Sequence, residues 1–190
     1  MVNTDYKGNW QRASQERTQK LDWITSVEEL WSTMNSLPKV HQLGMGSTLI
    51  FARNKKEPPS YESFPNGSRI TINLLRPPTT DGGLELVLAT VMGETVAEKA
   101  SGGRPVCDVL RIAARPSREH PEQIRVEVWL NDAACSRAVA EFLAEAMRTK
   151  GLAANSYSIL ESSFDIALQT KDKKMSSMVL NPPPTTFAKE

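Results

Sequence analysis

Apolar residues recur at Val27, Leu30, Trp31, Met34 and Leu37, the three-and-four spacing of one helix face, and Pro38 closes the run. Ser26 stands just before this stripe with Glu29 three positions on, a capping box that sets the helix start. A second helix is predicted over residues 81–93. A third carries Val139, Phe142, Leu143, Ala146 and Met147 on its inner face, with Asn131 or Asp132 as its cap and Gly151 as its stop. Between the helices, apolar and alternating runs predict strands over residues 48–53, 69–75, 106–113, 124–130 and 157–161. The Pro-rich stretches 57–65 and 77–83 read as loops. This interleaving predicts an α+β single domain, a curved and mostly antiparallel β-sheet with about three helices packed on one face.

The ends of the chain are different in character. Residues 1–20 are polar apart from Tyr6 and Trp10, and the other end holds Pro182-Pro183-Pro184. The domain is therefore expected to span 1–174, with 1–8 flexible and 175–190 a flexible, Pro-containing tail.

Composition narrows the class. The chain has 190 residues, 39% hydrophobic and 24% charged, with 23 Lys+Arg against 22 Asp+Glu. No apolar run approaches the roughly 18–20 residues of a membrane span. A net charge of +1 argues against a surface that coats nucleic acid by phosphate neutralisation alone. The positive charge is nevertheless gathered: residues 104–125 hold Arg104, Arg111, Arg115, Arg118 and Arg125 against Asp108, Glu119 and Glu122. Cys107 and Cys135 stand without a CxxC or a histidine at metal spacing, which speaks against a disulfide framework and a zinc finger. With no apolar signal core at the start, the cytoplasm, or also the nucleus, is the expected compartment.

Catalytic material is scarce. Only His41 and His120 are present, and no GxSxG, HExxH, P-loop or GxGxxG pattern occurs. Glu28/Glu29 and Asp81/Glu85 read as helix N-terminal charges. Cys107 lies in an apolar strand run, where a thiol is inert. The sequence reads as a binding protein, with no enzyme activity, metal or cofactor expected.

The informative residues are aromatics placed beside charges. They are Val27-Glu28-Glu29-Leu30-Trp31, then Pro59-Ser60-Tyr61-Glu62, Gly67-Ser68-Arg69-Ile70, Met92-Gly93-Glu94, and Arg125-Val126-Glu127-Val128-Trp129. In the last of these, the strand period of two puts Arg125, Glu127 and Trp129 on one face. This ordered series resembles the translation initiation factor 4E family, binders of the 7-methylguanosine mRNA cap. The family patterns are Val-Glu-Asp-Phe-Trp, Pro-x-Trp-Glu, Gly-Gly-Arg-Trp, Ile-Gly-Glu and Lys-Ile-Ala-Ile-Trp, in the same order over residues 10–170.

The resemblance implies a site. N7-methylguanine is cationic, so aromatic faces hold it by stacking and cation–π attraction, about 1–3 kcal/mol per stacked base. Tyr61 would be one ring of the sandwich, and Glu62 would accept from the guanine N1–H and amine. Asn9-Trp10-Gln11 resembles the family's other stacking segment, which makes Trp10 the second ring and Trp23 the rival candidate. Trp129 would touch the methyl group, and Arg69, Arg115 and Arg125 would hold the triphosphate, with Arg111 in reserve. Phe164 would stack on a nucleotide beyond the cap while Lys171 meets its phosphates. Val27 and Trp31 would dock a helix of a scaffold factor 4G-like protein, with Leu84 or Leu88 alongside.

This chain also departs from the family pattern. Tyr61 stands where the family has Trp, which implies weaker cap affinity, and the loop 116–123 is longer. Such divergence suits the trypanosomatid members, which face a heavily methylated cap. Each residue also has a structural role open to it: core for Trp31 and Trp129, solvated loop charge for Glu62 and Arg69. Two other functions remain: an interaction module that keeps the fold without cap binding, and a generic single-stranded RNA binder.

Overall fold

Ser26 opens the first helix, α1 (Val27–Ser36), by the expected reciprocal bonds. Its Oγ accepts from Glu29 N at 3.1 Å, and Glu29 Oε2 accepts from Ser26 N at 3.3 Å. The same carboxylate accepts from Thr25 N at 2.6 Å and Thr25 Oγ1 at 2.9 Å, and these bonds hold it below the usual carboxylate range. Leu37 turns extended ahead of Pro38, whose ring disfavours helical backbone in the preceding residue. The computed structural model describes residues 19–21, 23–44, 46–53, 59, 61–164 and 178–179. α1 belongs to the first of two compact units, Met1–Leu37; Pro38–Glu190 forms the second.

The second unit holds an α+β fold with one antiparallel sheet. Its elements are β1 (Thr48–Ala52), β2 (Ser68–Leu74), α2 (Thr79–Met92), α3 (Thr95–Ala100), β3 (Cys107–Ala114), β4 (Ile124–Leu130), α4 (Ser136–Thr149), β5 (Tyr157–Ser163) and β6 (Met178–Val179). The strand order is β1-β3-β4-β2-β5-β6, and every neighbouring pair is antiparallel. The register of β3 against β4 shifts between Cys107 and Val109, as at a bulge. Ile70, Ile72 and Leu74 of β2 pair with Val128, Val126 and Ile124 of β4, all fully buried. Because α2 and α4 both pack on β2 and on each other, this apolar surface is the one the helices cover. Val87, Leu88, Val139, Leu143 and Met147 complete that core from the helix side.

Several boundaries differ from the sequence reading for identifiable reasons. The stretch 79–83, read as loop, is the first turn of α2. Gly83 lies where a Cβ would come within 2.8 Å of Leu74 Cδ2, so the missing side chain lets this turn pack closely on β2. Leu84 and Leu88 belong to the core of this unit. Asp132 caps a short 3₁₀ turn, Ala133–Cys135, accepting from Ala134 N at 3.0 Å, and the α-helix proper starts at Ser136. The six-residue α3 was not anticipated, since Gly93-Glu94 reads as a stop; Glu94 takes the left-handed conformation, φ 60°, and the chain re-enters a helix directly. Met178–Val179, placed in the expected tail, pairs with Glu161 and Leu160 as an added strand.

Candidate functional site

If Ile70, Ile72 and Leu74 face the helices, the period of two sends Arg69, Thr71 and Asn73 to the opposite face. Pairing carries this across the sheet in rows. Arg69, Trp129 and Val109 form one row; Thr71, Glu127 and Arg111 the next; Asn73, Arg125 and Ala113 the third. The sequence reading had placed Arg125, Glu127 and Trp129 together, and the pairing brings Arg69 and Arg111 to the same surface.

The first row is aromatic. Tyr61 sits in a 3₁₀ turn, Tyr61–Ser63, with its ring 4.7 Å from that of Trp129 and 5.0 Å from that of Phe164. Phe64 meets Trp129 edge-on at 6.0 Å. Trp129 is 4% exposed and Phe164 1% exposed, while Tyr61 remains half-buried. Trp129 and Phe164 therefore buttress Tyr61 from the protein side. Phe164, expected to stack on a nucleotide, and Trp129, expected to touch the methyl group, are both buried within this cluster. Arg69 Nη1 donates to Tyr61 Oη at 3.0 Å, and its guanidinium carbon lies 5.7 Å from the ring centroid, a cation–π distance. Glu62 follows Tyr61 on the same turn and is exposed.

The middle row is ionic. Glu127, 6% exposed, accepts from Arg111 Nη1 at 3.4 Å and from Trp129 Nε1 at 3.2 Å, and pairs with Arg69 Nη1 at 3.7 Å. Sequence reasoning did not single out this carboxylate as a site residue. The signal was there: a Glu between Val126 and Val128 in a strand, on the face of Arg125 and Trp129.

The third row leads to an open pocket. Arg125 Nε donates to Asn73 Oδ1 at 3.2 Å, and Gln123 Nε2 approaches the same oxygen at 3.5 Å. Arg115 and Arg125, with Gly46, Ala114, Pro116, Ser117 and Gln123, line a hollow of about 390 Å³ where β3 turns into β4. Among the described residues, neither arginine has a carboxylate within ion-pair distance.

The other expected residues fall elsewhere. Trp10 and Lys171 lie outside the described residues. Val27 of α1 is 61% exposed, Trp31 one turn on is half-buried, and Trp23 is 43% exposed. Around the start of that helix, Leu21, Trp23, Ile24, Glu28, Glu29, Ser32 and Thr33 border a hollow of about 400 Å³.

No protein-family model matches the chain, and no curated protein matches its sequence. The fold has clear likenesses among solved structures. It resembles eIF4E-3 of C. elegans, solved with the 4E-binding protein Mextli and a cap analog, at TM-score 0.64 and 15% identity, over 93% of this chain and 92% of that one. It also resembles eIF4E-3 of Ascaris suum solved with an m2,2,7G cap, at TM-score 0.62 and 13% identity, over 85% and 84% of the two chains. The same Ascaris protein with an m7G cap gives TM-score 0.60 and 14% identity over 87% and 91%. The fold is therefore eIF4E-like, as the motif order led one to expect.

Proposed function

We propose that this chain binds the 7-methylguanosine cap of mRNA, acting in translation initiation as a binding protein rather than an enzyme. The observation that carries the reading is the layout of the sheet face opposite the helices. It has an aromatic end at Tyr61 and an arginine pocket at Arg115 and Arg125, in a fold shared with proteins solved with cap ligands. Four residues of strand, roughly 13 Å, separate the row of Arg69 from that of Arg125, which suits a base at one end and its phosphates at the other. Tyr61 stacks on the methylated base and Glu62 accepts from the guanine edge. Arg115 and Arg125 meet the phosphates, with Arg69 placed to hold Tyr61. Val27 and Trp31 supply the anchor pair for a helix of a scaffold factor 4G-like partner, by the helix-in-groove mode.

The test is retention on 7-methyl-GTP resin, with elution by 7-methyl-GTP but not by GTP at equal concentration. Glu62→Ala is expected to weaken binding by at least tenfold, since hydrogen bonds to a charged group are worth about 1.5–3 kcal/mol. Equal elution by GTP, or an unchanged affinity in Glu62→Ala, would sink the reading. Elution with additionally methylated cap analogues tests whether a hypermethylated cap is preferred.

A further inference from the structure

The middle row of the sheet face carries a group that the cap reading does not use. Glu127 is a carboxylate 6% exposed, and a buried charge persists only when it is paired. Its partners are Arg111 at 3.4 Å, Arg69 at 3.7 Å and the indole of Trp129 at 3.2 Å. Two of the arginines on this face are thus committed before any ligand arrives. The three charged groups together present one positive charge instead of two. Glu127 also stands two residues along β4 from Arg125, about 7 Å by strand rise. That is inside the Debye length of about 8 Å at physiological ionic strength.

We propose that Glu127 is a specificity-determining residue that limits how strongly this face gains affinity from each added phosphate charge. The inference rests on the cap reading for its ligand, and on the ion pairs alone for its physics. An anion seated at Arg115 and Arg125 is repelled by the carboxylate, and the carboxylate also competes for Arg69 and Arg111. The face is tuned to a short, modestly charged ligand. Trp129 and Arg69 tie the same carboxylate to the aromatic end, because Arg69 also donates to Tyr61 Oη at 3.0 Å. The base end and the phosphate end share one acceptor.

Glu127→Gln keeps the side-chain length and an acceptor for Trp129 Nε1 while deleting the charge. Binding of three probes is measured by calorimetry: 7-methylguanosine, inorganic tripolyphosphate and 7-methyl-GTP. Tripolyphosphate and 7-methyl-GTP are expected to bind at least tenfold tighter to the variant, while the bare nucleoside, cationic at N7 and without phosphate, does not tighten. A change of equal size for all three probes, or no change, overturns the proposal, since a merely structural role does not sort ligands by charge. The double variant Glu127→Gln/Arg111→Gln restores the net charge of the cluster and is expected to return all three affinities to the wild-type values. A tenfold loss for tripolyphosphate there would show Arg111 to be an ordinary phosphate ligand and overturn the proposal, even if the single variant fails to fold. If wild-type protein does not prefer 7-methyl-GTP to GTP, the cap reading falls, while the tripolyphosphate comparison still decides the role of Glu127.

Discussion

At the scale of the residue, Cys107 shows how burial, with help from a neighbouring charge, sets chemistry. Its thiol is pushed up to about 12, first by burial and next by the negative charge of Glu94, against the opposing charge of Arg53. The inert thiol expected from its apolar strand is therefore what the local environment produces. Its ordinary value of 9.0 applies once the chain unfolds, so the folded state holds the proton more tightly. Stability from this group is complete below pH 9 and is lost as pH rises from there toward 12. The full loss is on the order of a few kcal/mol. Chemical denaturation followed between pH 8 and 11 should show a steeper fall in wild-type protein than in Cys107→Ala; parallel curves would refute this. Glu127 is the opposite case. Its place on the sheet face could be read from the alternation of 124–130, but its two arginine partners could not. Arg69 and Arg111 come from other strands, and only the register joins them.

At the scale of the element, the sequence located segments well and their ends less well. The β4 boundaries, 124–130, agree residue for residue, because strict alternation bounded by Gln123 and Asn131-Asp132 leaves little freedom. The early start of α2 involves Thr79, Thr80, Gly82 and Gly83, poor helix formers held helical by packing. By contrast α3, with Ala97, Glu98, Lys99 and Ala100, has good formers but is too short to show a helical period. The opening of β2 was recognised as a motif, yet its physical demand appears only in three dimensions. A Cβ on Gly67 would lie 2.4 Å from the backbone oxygen of Leu130, 2.8 Å from Phe64 Cβ and 3.0 Å from Phe164 Cδ2. The glycine lets the strand enter under the aromatic cluster, and Phe164 N donates back to Gly67 O at 3.3 Å. That same tuck explains why Phe164, read from sequence as a nucleotide-stacking ring, is enclosed. Gly67→Ala must move backbone or the cluster, at a cost of roughly 1–3 kcal/mol. With a drop of about 2–4 °C in Tm per kcal/mol for a chain of this size, the expected fall is several degrees. Near-ultraviolet circular dichroism should show the aromatic signal weakened in step; an unchanged Tm would contradict the contact.

At the scale of the whole molecule, the question is where the positive charge goes. The chain is nearly neutral, 23 basic against 22 acidic side chains, and the structure spends much of that charge internally. Arg53 pairs with Glu94 and Asp108, Arg69 and Arg111 with Glu127, Arg104 with Asp132, and Arg137 with Glu141 and Glu161. Arg115 and Arg125, both half-buried, line one pocket together, and among the described residues neither is paired with a carboxylate. A protein that gripped RNA along its backbone would need many such cations, whereas a cap binder needs only enough for a short phosphate chain. Counterion release turns this into a measurement, because each neutralised phosphate on a single strand contributes about 0.7 to the slope of log affinity against log salt. Two arginines give an expected slope near −1.4 for a capped oligonucleotide, about the same as for 7-methyl-GTP alone. Uncapped oligonucleotide of the same sequence should bind far more weakly at physiological salt. A slope several times steeper that grows with RNA length would mean that the backbone, not the cap, is the ligand, and would favour the generic single-stranded RNA binder over the reading proposed for this face.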